Sequence, residues 1–245
     1  MVEASSFYSS LYSGAAVKRA QLLDELAQRI VHIERSHPIR VAIDGVDAAG
    51  KTMLAEELVT PIQACGRPVI RASIDGFHQP ARLRYQRGAA SPEGYYYDSF
   101  NYPALRACLL APLGMGGSRR YRSAVFDFRT DSEVQVTPRV AETHAVLLFD
   151  GVFLLRPELQ GYWDVTIFVD AAFAVTLMRA QQRDLPLFGT VPDVTQRYQQ
   201  RYIPGQQLYL EACCPRQRAD LVVENNDPEH PVMYAVKAHV ASNDP

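Results

Sequence analysis

Residues 45–52 read "GVDAAGKT", and this octet constrains the chain more than any other stretch. It matches the G-x-x-x-x-G-K-[ST] spacing, whose chemistry requires a strand that delivers the loop and a helix that begins at the lysine. Both are written into the flanking residues. "IRVAIDG" (39–45) is a continuous apolar run between breakers, which predicts a buried strand. "KTMLAEELVTPIQACG" (51–66) predicts the helix, ending near Gly66. The N–H groups of such a loop, with the helix N-terminus behind it, form an anion cradle. Lys51 then reaches the outer phosphates of a nucleotide and the Thr52 hydroxyl ligates Mg²⁺. A chance match in a glycine turn would not bring the strand and the helix with it. Gly45, Asp47, Ala48, Ala49, Gly50, Lys51 and Thr52 are therefore the expected nucleotide-binding set. ATP and Mg²⁺ are the expected cofactors, and the guanine-reading N-K-x-D of a GTPase does not occur.

Strand-sized and helix-sized patterns alternate along the rest of the chain. Leu22, Leu23, Leu26, Ile30 and Ile33 predict an amphipathic helix over 15–36, stopped by His37-Pro38. Further strands are expected at 68–75 ("PVIRASID"), 145–155 ("AVLLFDGVFLL"), 164–171 ("DVTIFVDA") and 219–225 ("ADLVVEN"). Helices are expected at 103–113, where Pro103 suits a first turn, at 173–184 and at 194–214. Residues 79–102, rich in Tyr, Gly and Ser, read as a loop. Segments 121–128 and 132–138 read as a small antiparallel excursion. The alternation predicts an α/β fold of the P-loop NTPase type, a mostly parallel sheet with helices on both faces. The expected layout is an N-terminal helical segment, 1–37, followed by one domain, 38–245.

A chain of 245 residues suffices for one such domain. A formal net charge of -2 supplies no basic surface for nucleic acid. No stretch approaches the roughly 18 apolar residues of a membrane span. The opening "MVEASSFYSSLYSG" lacks the basic and apolar regions of a signal peptide. Cys65, Cys108, Cys213 and Cys214 show no metal-ligand spacing, so reduced thiols and a cytoplasmic location are expected.

Two predicted strands end in an acid, Asp75 and Asp150. Ligands of an open parallel sheet gather outside the carboxyl ends of its strands, so both acids are expected beside the octet. Phosphoryl transfer needs a metal, a clamp on developing charge and a group that orients the nucleophile. Asp150 suits a Mg²⁺-holding role with Thr52. Asp75 is the spare carboxylate, either accepting the proton of an attacking hydroxyl or forming an Asx-turn with Gly76. Arg179 and Arg183 share a helical face beside the Pro/Gly-rich "LPLFGTVPD", as an anion clamp or as a solvated face. His78 touches the acceptor or is a satisfied loop histidine. Arg82, Arg84 and Arg87 meet an anionic acceptor or are solvated, as such charges normally are. Tyr95, Tyr96 and Tyr97 offer stacking and hydroxyls to an acceptor or pack beneath a long loop. Tyr202, Gln206 and Tyr209 fall near the same region of the chain.

In order, "GVDAAGKT", "SIDGFHQP", "SPEGYYYDSFNYPAL", "FDFRTD", "LLFDGVFLL" and "FVDAAFAVTLMRAQQRD" resemble the uridine kinase group of P-loop kinases, relatives of phosphoribulokinase and pantothenate kinase. The resemblance spans about residues 39–226. It implies a kinase in which Asp75 takes the proton from a ribose 5′-hydroxyl and Asp150 lies near Mg²⁺. It implies that Arg179 and Arg183 belong to a helical lid, about residues 179–207, which clamps the phosphates and excludes water. The substrate elements depart from the group. Its "F-D-H-P" reads "FNYP" here, with Asn101 for the diol-binding acid and Asp98 as a nearby substitute. Its "Y-D-F-x-x-H" reads "FDFRTD", which keeps an aromatic platform in Phe126 and Phe128 but puts Asp131 where a histidine reads the base. With Asp75, His78 and Tyr97 these form the expected acceptor set. The acceptor so implied is a small molecule, a uridine- or cytidine-like nucleoside. Pantothenate or a sugar is the alternative, since a rebuilt site rejects the analogue that it no longer pairs. A nucleotide-binding protein without turnover is opposed by the joint presence of Lys51, Thr52, Asp75 and Asp150. Members of the group often assemble, so a homo-oligomer is a further expectation.

Overall fold

The structure, a computed structural model, describes residues 18–236. The first three residues of the predicted N-terminal helix lie outside them. The described part is α1 (Arg19–Val31), which buries Leu22, Leu26, Ala27 and Ile30 along one face. These side chains join the core that contains β1 (Ile39–Gly45), so this segment packs on the sheet. After the octet come α2 (Lys51–Glu57) and α3 (Val59–Ala64). The single helix predicted over 51–66 is thus broken at Leu58. Pro61 has no N–H for the Glu57 carbonyl and its ring crowds that group, so the first helix closes there.

β2 (Val69–Ser73) stops two residues short of the predicted strand end, because the Ser73 hydroxyl accepts from Asp75 N and starts a 3₁₀ turn over Ile74–Phe77. The predicted loop 79–102 holds two helices, α4 (Ala81–Arg84) and α5 (Pro92–Asp98). Ser91 caps α5 by accepting from Gly94 N at 3.0 Å, with Pro92 in the first turn. α6 (Tyr102–Leu105) runs into a π turn through Leu110. The antiparallel excursion is two short ribbons. β3 (Arg120–Tyr121) pairs with β6 (Arg139–Val140), and inside them β4 (Phe126–Asp127) pairs with β5 (Ser132–Glu133).

β7 (Val146–Asp150) ends at its acid, and the predicted continuation to residue 155 leaves the sheet. β8 (Val165–Asp170) leads into α7 (Phe173–Arg183), α8 (Leu185–Phe188) and α9 (Val191–Arg197). A π turn (Tyr198–Tyr202) and α10 (Ile203–Cys213) follow. The π turn comes just before Pro204, which has no N–H for the Gln200 carbonyl. α11 (Pro215–Arg218), β9 (Leu221–Glu224) and an unpredicted antiparallel edge strand, β10 (Val232–Ala235), complete the chain. No helix among the described residues is long and apolar enough to cross a membrane. The four cysteines are free thiols.

Among the described residues, one six-stranded sheet runs β10-β9-β8-β1-β7-β2. All neighbours are parallel except β10 and β9. Alternate residues feed two cores. Ile39, Val41, Ile43, Val146 and Leu148 meet α1, α2 and α3 on one face. Ala42, Leu147 and Phe149 meet α5, α6 and α10 on the other. The α/β architecture with helices on both faces is therefore as expected. A small third cluster, Ala48 with Ala180, Val194 and Tyr198, seats α7 and α9 on the octet.

One buried carboxylate ties β1 to α10. Asp44 accepts from Gly45 N at 2.8 Å, from Leu154 N at 3.3 Å and from the Tyr209 hydroxyl, which itself accepts from Leu155 N at 3.0 Å. Burial pushes the Asp44 carboxyl above its ordinary value, and the Tyr209, Gly45 and Leu154 bonds oppose that rise. Tyr209→Phe leaves a buried acid short of a donor and a buried N–H without an acceptor. It is expected to lower the unfolding free energy by about 1–3 kcal/mol, read from denaturant midpoints at unchanged m-value.

Candidate active site

Register builds the site. Asp150 pairs with Ile43 of β1 on one side and with Ser73 of β2 on the other. Gly45 lies two residues past Ile43, and Asp75 lies two past Ser73. The octet, Asp150 and Asp75 therefore emerge at one edge of the sheet. Gly50, at φ 102, is the N-cap of α2, and a β-carbon there would run into the Asn225 amide. Gly76 is required by close approach: a β-carbon would stand 2.7 Å from Cβ of Ala124, in the segment between β3 and β4.

The Thr52 hydroxyl donates to Asp150 Oδ2 at 2.7 Å, while Arg71 Nη2 lies 2.9 Å from Asp150 Oδ1. One hydroxyl and one half-neutralised carboxylate are the small protein share expected for Mg²⁺, which keeps waters and substrate phosphates as its other ligands. Lys51 Nζ donates to Val46 O at 2.6 Å. Burial pushes its ammonium below the ordinary value, against the pull of Asp47, Asp44 and Asp150. Asp47 is held from two elements: Tyr95 Oη of α5 donates to Oδ2 at 2.7 Å, and Gln206 of α10 accepts from Asp47 N at 2.7 Å and donates to Oδ2 at 3.2 Å.

Asp75 is 62% exposed, and its carboxylate accepts no hydrogen bond among the described residues, so no Asx-turn forms with Gly76. Its pKa is raised to about 6, first because the ring of protein around it thins its hydration, then by Asp47 and Asp150; Lys51 and Arg183 work the other way. His78 follows at 4.0 Å from Asp75 Oδ1, its Nδ1 at 3.1 Å from the Asp75 carbonyl. Its ring lies between Phe100 and Phe128, with centroids 4.6 and 4.9 Å away. Burial there lowers its pKa to about 4, so His78 is neutral at pH 7.

His78 bridges to Phe100 across an antiparallel pair, which brings Asn101 alongside. Asn101 Oδ1, however, caps α6, accepting from Ala104 N at 3.0 Å. The other expected acceptor residues hold partners of their own. Asp131 accepts from Ala81 N at 2.8 Å and Arg84 Nη2 at 3.0 Å. Asp98 pairs with Arg87 at 2.7 Å. Phe126 is buried, and only Phe128 of the aromatic pair reaches His78. Tyr97, 52% exposed, packs on Tyr96 beside Arg87 and Arg156.

On α7, Arg179 Nη2 donates to Asn225 O at 2.8 Å and Asn226 O at 3.0 Å, with Nη1 3.5 Å from the carbonyls of Ala48 and Ala49. Arg183 forks onto Asp184 at 2.7 and 2.9 Å and meets the Tyr198 hydroxyl at 3.0 Å. Both arginines stand at the rim of the octet. Sequence reasoning missed Arg71 and Asn225, whose amide donates to Ala49 O at 2.7 Å. A charge inside a strand run, and a polar residue at the carboxyl end of the last parallel strand, were the available signals.

The profile of the phosphoribulokinase / uridine kinase family matches residues 40–229, and the chain belongs to that family. A uridine kinase of Vibrio vulnificus is 25% identical over 229 residues, which covers 85% of this chain and 97% of that one. Uridine-cytidine kinase B of Dictyostelium discoideum is 20% identical over 208 residues, at 84% and 82% coverage. Two solved structures share the fold at TM-score 0.66. One is a possible uridine kinase from Bacillus stearothermophilus, 23% identical, covering 83% of this chain and 97% of that one. The other, a candidate fructose transport system kinase from Silicibacter sp. TM1040, is 24% identical at 78% and 95%. The chain is thus a uridine-kinase-like P-loop kinase by family, which implies ATP as the phosphoryl donor and a small-molecule acceptor.

The buried histidine generates a prediction. Between about pH 6.5 and 4 the unfolded chain binds a proton at His78 that the folded chain does not, so stability is present above that window and is lost as pH falls through it. The stability difference between the native chain and His78→Gln should shift by about 2 kcal/mol against the native chain from pH 7 to 5. Urea unfolding of both at the two pH values measures it.

Proposed function

We propose that the chain transfers the γ-phosphoryl group of ATP to a hydroxyl of a small molecule, first of all the 5′-hydroxyl of a uridine- or cytidine-like nucleoside. The observation that carries this reading is the Asp75 carboxylate, without a hydrogen bond among the described residues and brought to the same sheet edge as the Thr52–Asp150 pair by the register of three parallel strands. Lys51 and the N–H groups of residues 45–52 bind the phosphates. Thr52 and Asp150 hold Mg²⁺, which when bound neutralises phosphate charge and orients the transferring group. Asp75 accepts the hydroxyl proton as the acceptor oxygen bonds to the γ-phosphorus and ADP departs. Arg179 and Arg183 add positive charge from the lid side. His78 and Phe128 offer the acceptor an aromatic surface with a neutral imidazole, backed by the buried Phe100.

A second reading, a free sugar as acceptor, is favoured by one specific observation. Asn101 and Asp131 stand where the resemblance has residues that read ribose and base, yet Asn101 Oδ1 caps a helix and Asp131 is tied to Arg84 and Ala81. The likeness to a candidate fructose transport system kinase supports the same reading. ADP release from Mg·ATP over uridine, cytidine, fructose, other sugars and pantothenate decides between them. Stimulation by a pyrimidine nucleoside alone sustains the first reading, and stimulation by a sugar alone replaces it.

With the productive acceptor, Asp75→Asn is expected to lower kcat by about 10²–10⁴ while the dissociation constant for ATP stays within threefold. An Asp75 variant that keeps full turnover removes the base assignment. Because Asp75 must be ionised to take the proton, kcat/KM for the acceptor should climb with pH through about 6 and level off above 7.

A further inference from the structure

The family profile matches from residue 40 onward, so α1 precedes the matched residues. Its first residue nevertheless enters the frame of the nucleotide site. Arg19 forks onto Glu57 of α2, with Nε 2.8 Å and Nη2 2.6 Å from Oε2. Its Nη1 donates to Asn225 Oδ1 at 3.3 Å and to Pro228 O at 3.1 Å. One guanidinium therefore joins the helix behind the octet to the loop after β9.

Asn225 is the connecting piece. It is 3% exposed, and its Nδ2 donates to Ala49 O of the octet. Its backbone carbonyl receives Arg179, and its N–H donates to Asp170 O at 2.7 Å. The amide is useful to the octet in one orientation only, with nitrogen toward Ala49. Arg19 carries donors and no acceptor, so it accepts only the oxygen side of that amide. A flipped amide would set Nδ2 against a cation and Oδ1 against the Ala49 carbonyl, and both contacts would be repulsive. The same guanidinium holds the far end of the loop at Pro228 and so steadies the carbonyls that seat Arg179. Burial, and then the charge of Arg19, push the Arg179 guanidinium below its ordinary value, which places the two cations in one field.

We infer that Arg19 is a positioning residue of the ATP site: from a helix that precedes the profile match it fixes the Asn225 amide and the 225–228 loop against the octet, and so sets nucleotide affinity. The inference rests on the reading that residues 45–52 bind ATP.

The test is equilibrium binding of the non-hydrolysable analogue Mg·AMPPNP to the full chain, well below its unfolding temperature. Arg19→Ala should raise Kd about tenfold, the scale of one lost charged hydrogen bond. Arg19→Lys keeps the charge and can reach Glu57, but it lacks the fork that spans Glu57, Asn225 and Pro228 together. Its Kd should stay raised at least about fivefold. Arg29→Ala removes the other ion pair of α1, Arg29–Glu25 at 2.8 Å, and should leave Kd within about twofold. The inference is overturned by native affinity in Arg19→Ala, by full rescue in Arg19→Lys, or by an equal loss in Arg29→Ala, which would make α1 a general prop. A native chain that does not bind AMPPNP overturns the ATP-site reading along with it. A native chain that binds beside an unaffected Arg19→Ala overturns the Arg19 role alone.

Discussion

Three parallel strands in one register carry the chemistry of this chain. Asp150 of β7 is level with Ile43 of β1 and Ser73 of β2, and two residues beyond those partners come Gly45 and Asp75. Side chains alternate across a sheet, so a slip of one residue in β2 would turn its inward set outward and carry Asp75 away from the octet. The two cores make that slip costly. Ile70 and Ala72 of β2 are buried in one core, while Arg71 on the other face reaches Leu148 O and Asp150, so a slip would drive its guanidinium into apolar packing. Packing energy far from the edge thus holds the separation of the acids at it.

That edge is rich in negative charge. Asp44, Asp47 and Asp150 all act on Lys51, and Asp47 and Asp150 raise Asp75. Fixed donors restrain three of these acids: Tyr209 for Asp44, Tyr95 and Gln206 for Asp47, Arg71 and Thr52 for Asp150. Of these carboxylates only that of Asp75 is left without a hydrogen bond among the described residues, which is the condition a proton acceptor needs.

What was legible in the sequence follows the range of the interactions. The strands, the octet and the acids at strand ends are local patterns, and each stands where its pattern put it, apart from ends that shifted by a few residues. Helix α5 was hidden because Tyr, Gly and Ser dominate 79–102, although Ser91-Pro92 was a readable start signal. The contacts that hold the octet were not legible. Gln206 grips Asp47 from 159 residues away, and Arg19 reaches Asn225 from 206 residues away. No periodicity encodes such pairs, because they exist only once two helices and a sheet edge have met. Asn101 and Asp131 show the reverse case: their types suggested recognition, and the fold gave each a bond within the protein.

Charge also narrows the acceptor. Arg84 is joined to Asp131 and Arg87 to Asp98, so two of the three loop arginines that would welcome an anion already have carboxylate partners. Beside Asp75 stands a neutral histidine, whose ring packs against Phe128 and the buried Phe100. An anionic acceptor entering there would meet Asp75 and the field of Asp47, and the cations that act on Asp75, Lys51 and Arg183, are those proposed to serve the ATP phosphates, so like charges at such range are unfavourable. An uncharged polyol does not meet that penalty, and it offers the hydroxyl that the proposed role of Asp75 calls for. Both a nucleoside and a free sugar are such molecules, whereas pantothenate carries a carboxylate. The aromatic wall then becomes the discriminating surface. A planar base gains from stacking on Phe128, and a sugar ring gains from it only through its C–H faces.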